Sequence, residues 1–151
     1  MNIIIGVIGA GDADDNELRI AESVGREIAA RGCMLLSGGM GGVMEASCRG
    51  AKSGGGTTIG IIPGESKYEA NEYVDIPIVT GMGHGRNILV ARSSDAVIAI
   101  GGSYGTLSEI AFALRLKIPV IGLNTWDVSS DIKRAENQAV DMAVRLGGAG
   151  A

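Results

Sequence analysis

The stretch "AIGGSYGTLSEIAFAL", Ala99 to Leu114, decides how this chain is read. An apolar run meets Gly101, Gly102 and Gly105 and then gives way to apolar residues at helical spacing. That is a strand, a tight turn and a helix in order, the repeating unit of an α/β sheet. The same alternation recurs on either side. Ile3 to Ile8 is a continuous apolar run, as expected of a parallel strand buried on both faces, and it ends in Gly9-Ala10-Gly11. Asp15 to Arg31 carries Leu18, Ala21, Val24, Ile28 and Ala29 at helical spacing, with acids near its start and Gly32 as its stop. Cys33 to Leu36 reads as strand, "SGGMGG" as turn, Val43 to Lys52 as helix and Thr57 to Ile62 as strand. Glu65 to Asp75 is polar and reads as irregular; Ile76 to Val79 is a short strand, and Gly85 to Ser93 a helix. Ala96 to Ile100 is strand, Thr106 to Lys117 helix and Pro119 to Leu123 strand. Asp131 to Leu146 is expected to form a last helix, with Ile132, Ala135, Ala139, Met142, Ala143 and Leu146 on one stripe, before a frayed "GGAGA" tail.

Such alternation predicts an α/β fold with a doubly wound, mostly parallel, Rossmann-like sheet and helices on both faces. The 151 residues fit a single domain, 1–151, large enough to bury a core without disulfides. Hydrophobic residues make up 46% and aromatic residues 3%, so that core is built from Ile, Val, Leu, Ala and Met. A net charge of -4 gives no electrostatic footprint for nucleic acid or an anionic membrane surface. Cys33 and Cys48 have no Cys-x-x-Cys spacing, which suits a reducing cytoplasm, and no metal site is expected. The N-terminal run lacks the charged start of a signal peptide, and no apolar run reaches the roughly 18 residues of a membrane span.

Ligands of doubly wound sheets bind outside the carboxyl ends of the strands, where strand order reverses. The turns after strands are therefore the candidate site. Gly9-Ala10-Gly11 is a poor dinucleotide fingerprint, because Asp14 stands where its third glycine belongs and Asp12 and Asp15 add negative charge. Two later turns resemble each other: Gly38, Gly39, Gly41 and Gly42 lead to Glu45, and Gly101, Gly102, Ser103, Tyr104, Gly105 and Thr106 lead to Glu109. Glycines there bring backbone N–H groups close to a ligand, and a following helix N-terminus makes an anion site. The alternative for Glu109 is a capping box, Thr106-Leu107-Ser108-Glu109. Glu45 has no Ser or Thr three residues before it, so a first-turn acid is its alternative. A third turn, "GMGHGRN" (81–87), supplies Arg86, whose planar fork suits phosphate, together with Met82 and the only histidine, His84. Met40, Met82 and Tyr104 are placed to line a pocket for a flat ring, or simply to pack.

The order "SGGMGGVME", "TIGIIPG", "GMGHGRN" and "GGSYGTLSE" resembles the LOG-like (Lonely Guy, "lysine decarboxylase-like") superfamily, and within it the short branch that includes molybdenum cofactor carrier proteins. The resemblance spans about Ile3 to Leu123. It implies a phosphoribohydrolase of nucleoside 5'-monophosphates, or a non-catalytic carrier of the molybdenum cofactor, gripped by the phosphate of its pterin. On the motif Pro-Gly-Gly-x-Gly-Thr-x-x-Glu it assigns a catalytic role to Glu109 with Arg86, and phosphate binding to Gly105 and Thr106. Gly101 stands in place of the motif's proline and Ser103 in place of its second glycine. The resemblance further implies a homo-oligomer, a dimer or higher, a phosphate-containing small-molecule ligand, and no required cofactor.

Overall fold

The structure, a computed structural model, describes residues 2–149. Seven strands form one parallel sheet: β1 (Ile4–Gly9), β2 (Met34–Ser37), β3 (Thr58–Ile62), β4 (Ile76–Val79), β5 (Ala96–Ile100), β6 (Val120–Leu123) and β7 (Lys133–Arg134). Their spatial order is β4-β3-β2-β1-β5-β6-β7, so strand order reverses between β1 and β5. Five helices complete the doubly wound fold: α1 (Asp15–Ala30), α2 (Val43–Ser53), α3 (Asn87–Arg92), α4 (Tyr104–Arg115) and α5 (Ala139–Ala149).

The continuous apolar runs are explained by two cores, one on each face. Ile5, Val7, Leu35, Ile98 and Ile121 pack with Val24 and Ile28 of α1, Val43 and Cys48 of α2, and Val140 and Ala143 of α5. Ile8, Leu36, Ile61, Val97 and Ala99 face the other way, toward Val90 of α3 and Ile110 and Ala113 of α4. Period-two alternation sends neighbouring residues to opposite faces, and both faces are covered.

The expected helix Asp131–Leu146 is corrected. Ile132 packs into the α3/α4 core whereas Ala139 and Ala143 pack into the α1/α2 core, so no single helical stripe can hold them. Instead, β7 adds a charged two-residue edge, which protects the sheet from further pairing, and α5 starts only at Ala139. Nor does the tail fray where expected, because α5 continues through Gly147, where an added Cβ would lie 3.3 Å from Ala96 and Asp95 at the start of β5. Gly150 and Ala151 lie outside the described residues. The expected helix Gly85–Ser93 divides into a tight 3-10 turn, Gly83–Arg86, followed by α3.

Helices α1 and α2 approach through glycines. A Cβ added at Gly25 would lie 1.9 Å from the Ser47 carbonyl oxygen, and one at Gly50 would lie 1.9 Å from that of Glu22. Gly25→Ala must push the helices apart, with an expected loss of about 1–3 kcal/mol read as a lower urea midpoint. An unchanged midpoint would show that the two helices slide freely.

Candidate functional site

At the switch point α1 leaves β1 on one face and α4 leaves β5 on the other, so a crevice opens beyond the strand ends. The corner after β5 is its centre. Gly101 and Gly102 hold φ values of +56° and +126°, a left-handed path that a side chain resists. A Cβ at Gly102 would also strike Thr106, 2.6 Å from its Cβ. Ser103 is the N-cap of α4, and its N–H donates to Thr106 Oγ1 at 3.3 Å. Thr106 is buried and shapes the turn. Among the described residues, the N–H groups of Gly102, Tyr104 and Gly105 donate to nothing.

This corrects the capping reading of Glu109. Because α4 begins at Tyr104, Glu109 falls in the second turn and points inward, 7% exposed. Its carboxylate accepts no hydrogen bond among the described residues, yet neither oxygen is sealed from solvent. Burial pushes its pKa up to about 7, against the opposing pull of Arg86.

Arg86 is 9% exposed, a rare level of burial for a guanidinium. Its Nε donates to the Ile61 carbonyl at 3.0 Å, and Nη1 donates to Asn87 Oδ1. Nη2 has no partner among the described residues and still reaches solvent. Gly38 leaves room for it, since a Cβ there would lie 2.7 Å from Nη2. Burial pulls the Arg86 pKa down while Glu109 holds it up, although no ion pair closes between them within 4 Å among the described residues. Asn87, buried and absent from the sequence-based candidates, donates through Nδ2 to Ser108 Oγ at 3.0 Å, and that hydroxyl donates to the Gly105 carbonyl at 2.7 Å. The corner after β4 is thereby tied to the start of α4. Only its place in "GRN" beside Arg86 could have marked it.

The corner after β2 contributes differently. Gly39 is buried, its N–H donates to Ser37 Oγ at 3.1 Å and its carbonyl accepts from Asn71. Gly42 caps α2 with a φ of +64°, where a Cβ would lie 2.2 Å from the Ala10 carbonyl oxygen. That oxygen accepts from Val43 N–H at 3.0 Å, which occupies part of the α2 terminus. Gly41 is exposed and Glu45 is half-buried in the first turn of α2. The corner after β1 is closed by its own Asp14, which accepts from Glu17 N–H at 2.8 Å. Met82 and His84 are exposed; the His84 carbonyl accepts from Asn87 N–H, and its imidazole makes no hydrogen bond among the described residues. Cys48 is buried, and that burial pushes its thiol up to about 11, which leaves it no nucleophile.

Tyr104, 82% exposed at the first position of α4, stacks on Trp126 with ring centres 5.9 Å apart. Trp126 donates through Nε1 to the Ser103 carbonyl at 3.1 Å. The Arg86–Gly38 contact and the Asn87–Ser108–Gly105 chain thus bring the turns at 38–42, 81–87 and 101–106 to one end of the sheet.

An open parallel sheet with glycine corners, and a buried arginine and glutamate that close no ion pair with each other, fit a Rossmann-like α/β protein of the LOG-like superfamily, near its molybdenum cofactor carrier branch. Residues 2–146 match the SLOG cluster4 family, and the chain belongs to it. An uncharacterised protein of Archaeoglobus fulgidus is 46% identical over 150 residues, 93% of this chain and 97% of that one. The molybdenum cofactor carrier protein of Chlamydomonas reinhardtii is 39% identical, with a TM-score of 0.88 over 98% of this chain and 99% of that one. The cytokinin riboside 5'-monophosphate phosphoribohydrolase of Mycobacterium tuberculosis is 38% identical over 96 residues, 62% of this chain and 51% of that enzyme. No helix among the described residues is long and apolar enough to cross a membrane.

The Glu109 carboxyl links stability to pH. Its folded pKa of about 7 lies above the ordinary 4.5, so between these values the folded state keeps a proton that the unfolded chain has released. The stabilisation is complete below pH 4.5 and is lost as pH rises through 7, on the order of 3 kcal/mol in all. Urea unfolding at pH 5 and pH 8 should show this fall in the wild type and a much smaller one in Glu109→Gln.

Proposed function

We propose that the β1/β5 crevice binds a phosphate-bearing small molecule with a flat ring, and that the protein carries it as cargo, the ligand being the molybdenum cofactor or a related pterin phosphate. The observation that carries this reading is the set of unpartnered N–H groups of Gly102, Tyr104 and Gly105 at a left-handed glycine turn, with an unpaired Arg86 Nη2 at the same end of the sheet. Backbone amides at a helix N-terminus supply oriented donors and a favourable dipole for an anion. Arg86 adds a fork whose remaining N–H groups face an opening rather than a protein partner. The carrier reading is favoured over others by likeness along nearly the whole chain to a molybdenum cofactor carrier.

A second reading, hydrolysis of a nucleoside 5'-monophosphate, is supported by Glu109. A buried carboxyl that titrates near 7 is suited to exchange a proton with water at neutral pH. Water would add to C1' as the bond from C1' to the base nitrogen breaks, giving ribose 5'-monophosphate and free base. The similar phosphoribohydrolase is matched over only about half of its length, which weakens that analogy. In both readings the grip on phosphate is the same, the site lies in a cytoplasmic single-domain protein, and the chain assembles as a homo-oligomer without nucleic acid or membrane.

Calorimetry with inorganic phosphate and a panel of nucleoside 5'-monophosphates tests the grip. Arg86→Lys keeps the charge and loses the fork, so phosphate affinity should fall roughly 10-fold; unchanged affinity would remove Arg86 from the site. Free base released by the wild type and not by Glu109→Ala would establish the hydrolase. No release, together with pterin and molybdenum in protein purified from a cofactor-producing host, would establish the carrier.

A further inference from the structure

The crevice continues past the phosphate corner into a cleft of about 350 Å³ lined by Glu17, Gly101, Gly102, Asn124, Thr125 and Trp126, a volume within the range of small-molecule sites. Asn124 and Thr125 also line a larger space, about 800 Å³, beside β6 and the start of α5. Glu17 stands at the lip. A Cβ at Gly101 would lie 2.7 Å from Glu17 Oε2 and 3.1 Å from Oε1, so the carboxylate rests against the glycine turn itself. It forms no ion pair among the described residues. Such a charge beside an anion cradle disfavours a bare anion, and becomes favourable only when the guest brings N–H donors to that point.

The rest of the cleft supplies the complement. Asn124, exposed after β6, keeps a carboxamide that makes no hydrogen bond among the described residues and offers both a donor and an acceptor. Trp126 is held in place through its bond to Ser103 and its stacking on Tyr104, an arrangement that presents aromatic surface to a flat ring. We propose that Glu17 and Asn124 read the edge of the bound ring and select a 2-amino-4-oxopyrimidine edge, which guanine and pterins share, over an adenine edge. The Glu17 carboxylate accepts from the ring N–H and the exocyclic amine, while the Asn124 amide donates to the ring carbonyl. Adenine would turn an unprotonated ring nitrogen toward the carboxylate, leaving an acceptor against an acceptor.

This selectivity rests on the phosphate cradle proposed above, and the test separates the two. Calorimetry at pH 7.5 compares inorganic phosphate with guanosine, inosine and adenosine 5'-monophosphates and with neopterin monophosphate, in the wild type and Glu17→Gln. Trp126 is the sole tryptophan, so its emission reports occupancy of the cleft. The wild type should bind the guanine nucleotide at least about 10-fold more tightly than the adenine one, with the inosine compound between. In Glu17→Gln that ratio should collapse toward one while phosphate binding stays level or tightens. Ring compounds, not phosphate, should quench Trp126. Tighter binding of the neopterin compound than of the guanine nucleotide identifies a pterin as the source of the edge, and the reverse identifies a guanine nucleotide. Equal affinities of the guanine and adenine nucleotides in the wild type, or a preference that survives in Glu17→Gln, overturn the selectivity alone. Failure of every compound, phosphate included, overturns the cradle and the selectivity with it.

Discussion

A guanidinium buried against a glycine governs the architecture of this crevice. Arg86 comes from the corner after β4, bonds to the backbone of β3, and lies on Gly38 at the end of β2. A side chain at Gly38 would displace it, and a residue without its fork would leave the Ile61 carbonyl unmet. Burying such a charge is expensive unless its N–H groups find acceptors. Here Nε and Nη1 do so, and Nη2 finds no acceptor among the described residues, so the fold keeps one donor pair for something outside itself.

Around that arginine the acids are arranged by environment. Glu109 is pushed toward neutrality by burial, and it keeps open lone pairs because the helix cap is supplied by Ser103 instead. Glu17 stands at the rim, where burial, joined by the neighbouring Asp14, raises its pKa. Burial thus raises both carboxyls, Glu109 on α4 and Glu17 against the glycine turn. A guest with one anionic end and one N–H-rich end satisfies such a layout better than phosphate alone.

The two proteins compared with this chain carry different names, one a molybdenum cofactor carrier and the other a phosphoribohydrolase. That divergence is physically reasonable. A helix N-terminus with left-handed glycines holds a phosphate whatever group the phosphate is attached to, whereas reactivity depends on where one carboxyl stands relative to the sugar and water. Function in such a fold is set by the far side of the crevice.

The order of strands and helices was legible because parallel strands buried on both faces must be continuously apolar, as in Ile3 to Ile8 and Ala96 to Ile100. Gly101, Gly102 and Arg86 were legible as types suited to an anion, and Glu109 as an acid with either a catalytic or a capping role. The sequence left Glu109 divided between cap and site, because spacing of three fits both; only the start of α4 at Tyr104 removed the cap. It misread Asp131–Leu146, since apolar residues at helical spacing cannot reveal that Ile132 and Ala139 belong to opposite faces of a sheet. Asn87, Glu17, Asn124 and Trp126 were invisible as partners for the same reason. Local pattern determines which elements form, while proximity across a crevice arises from long-range pairing that no short window of residues contains.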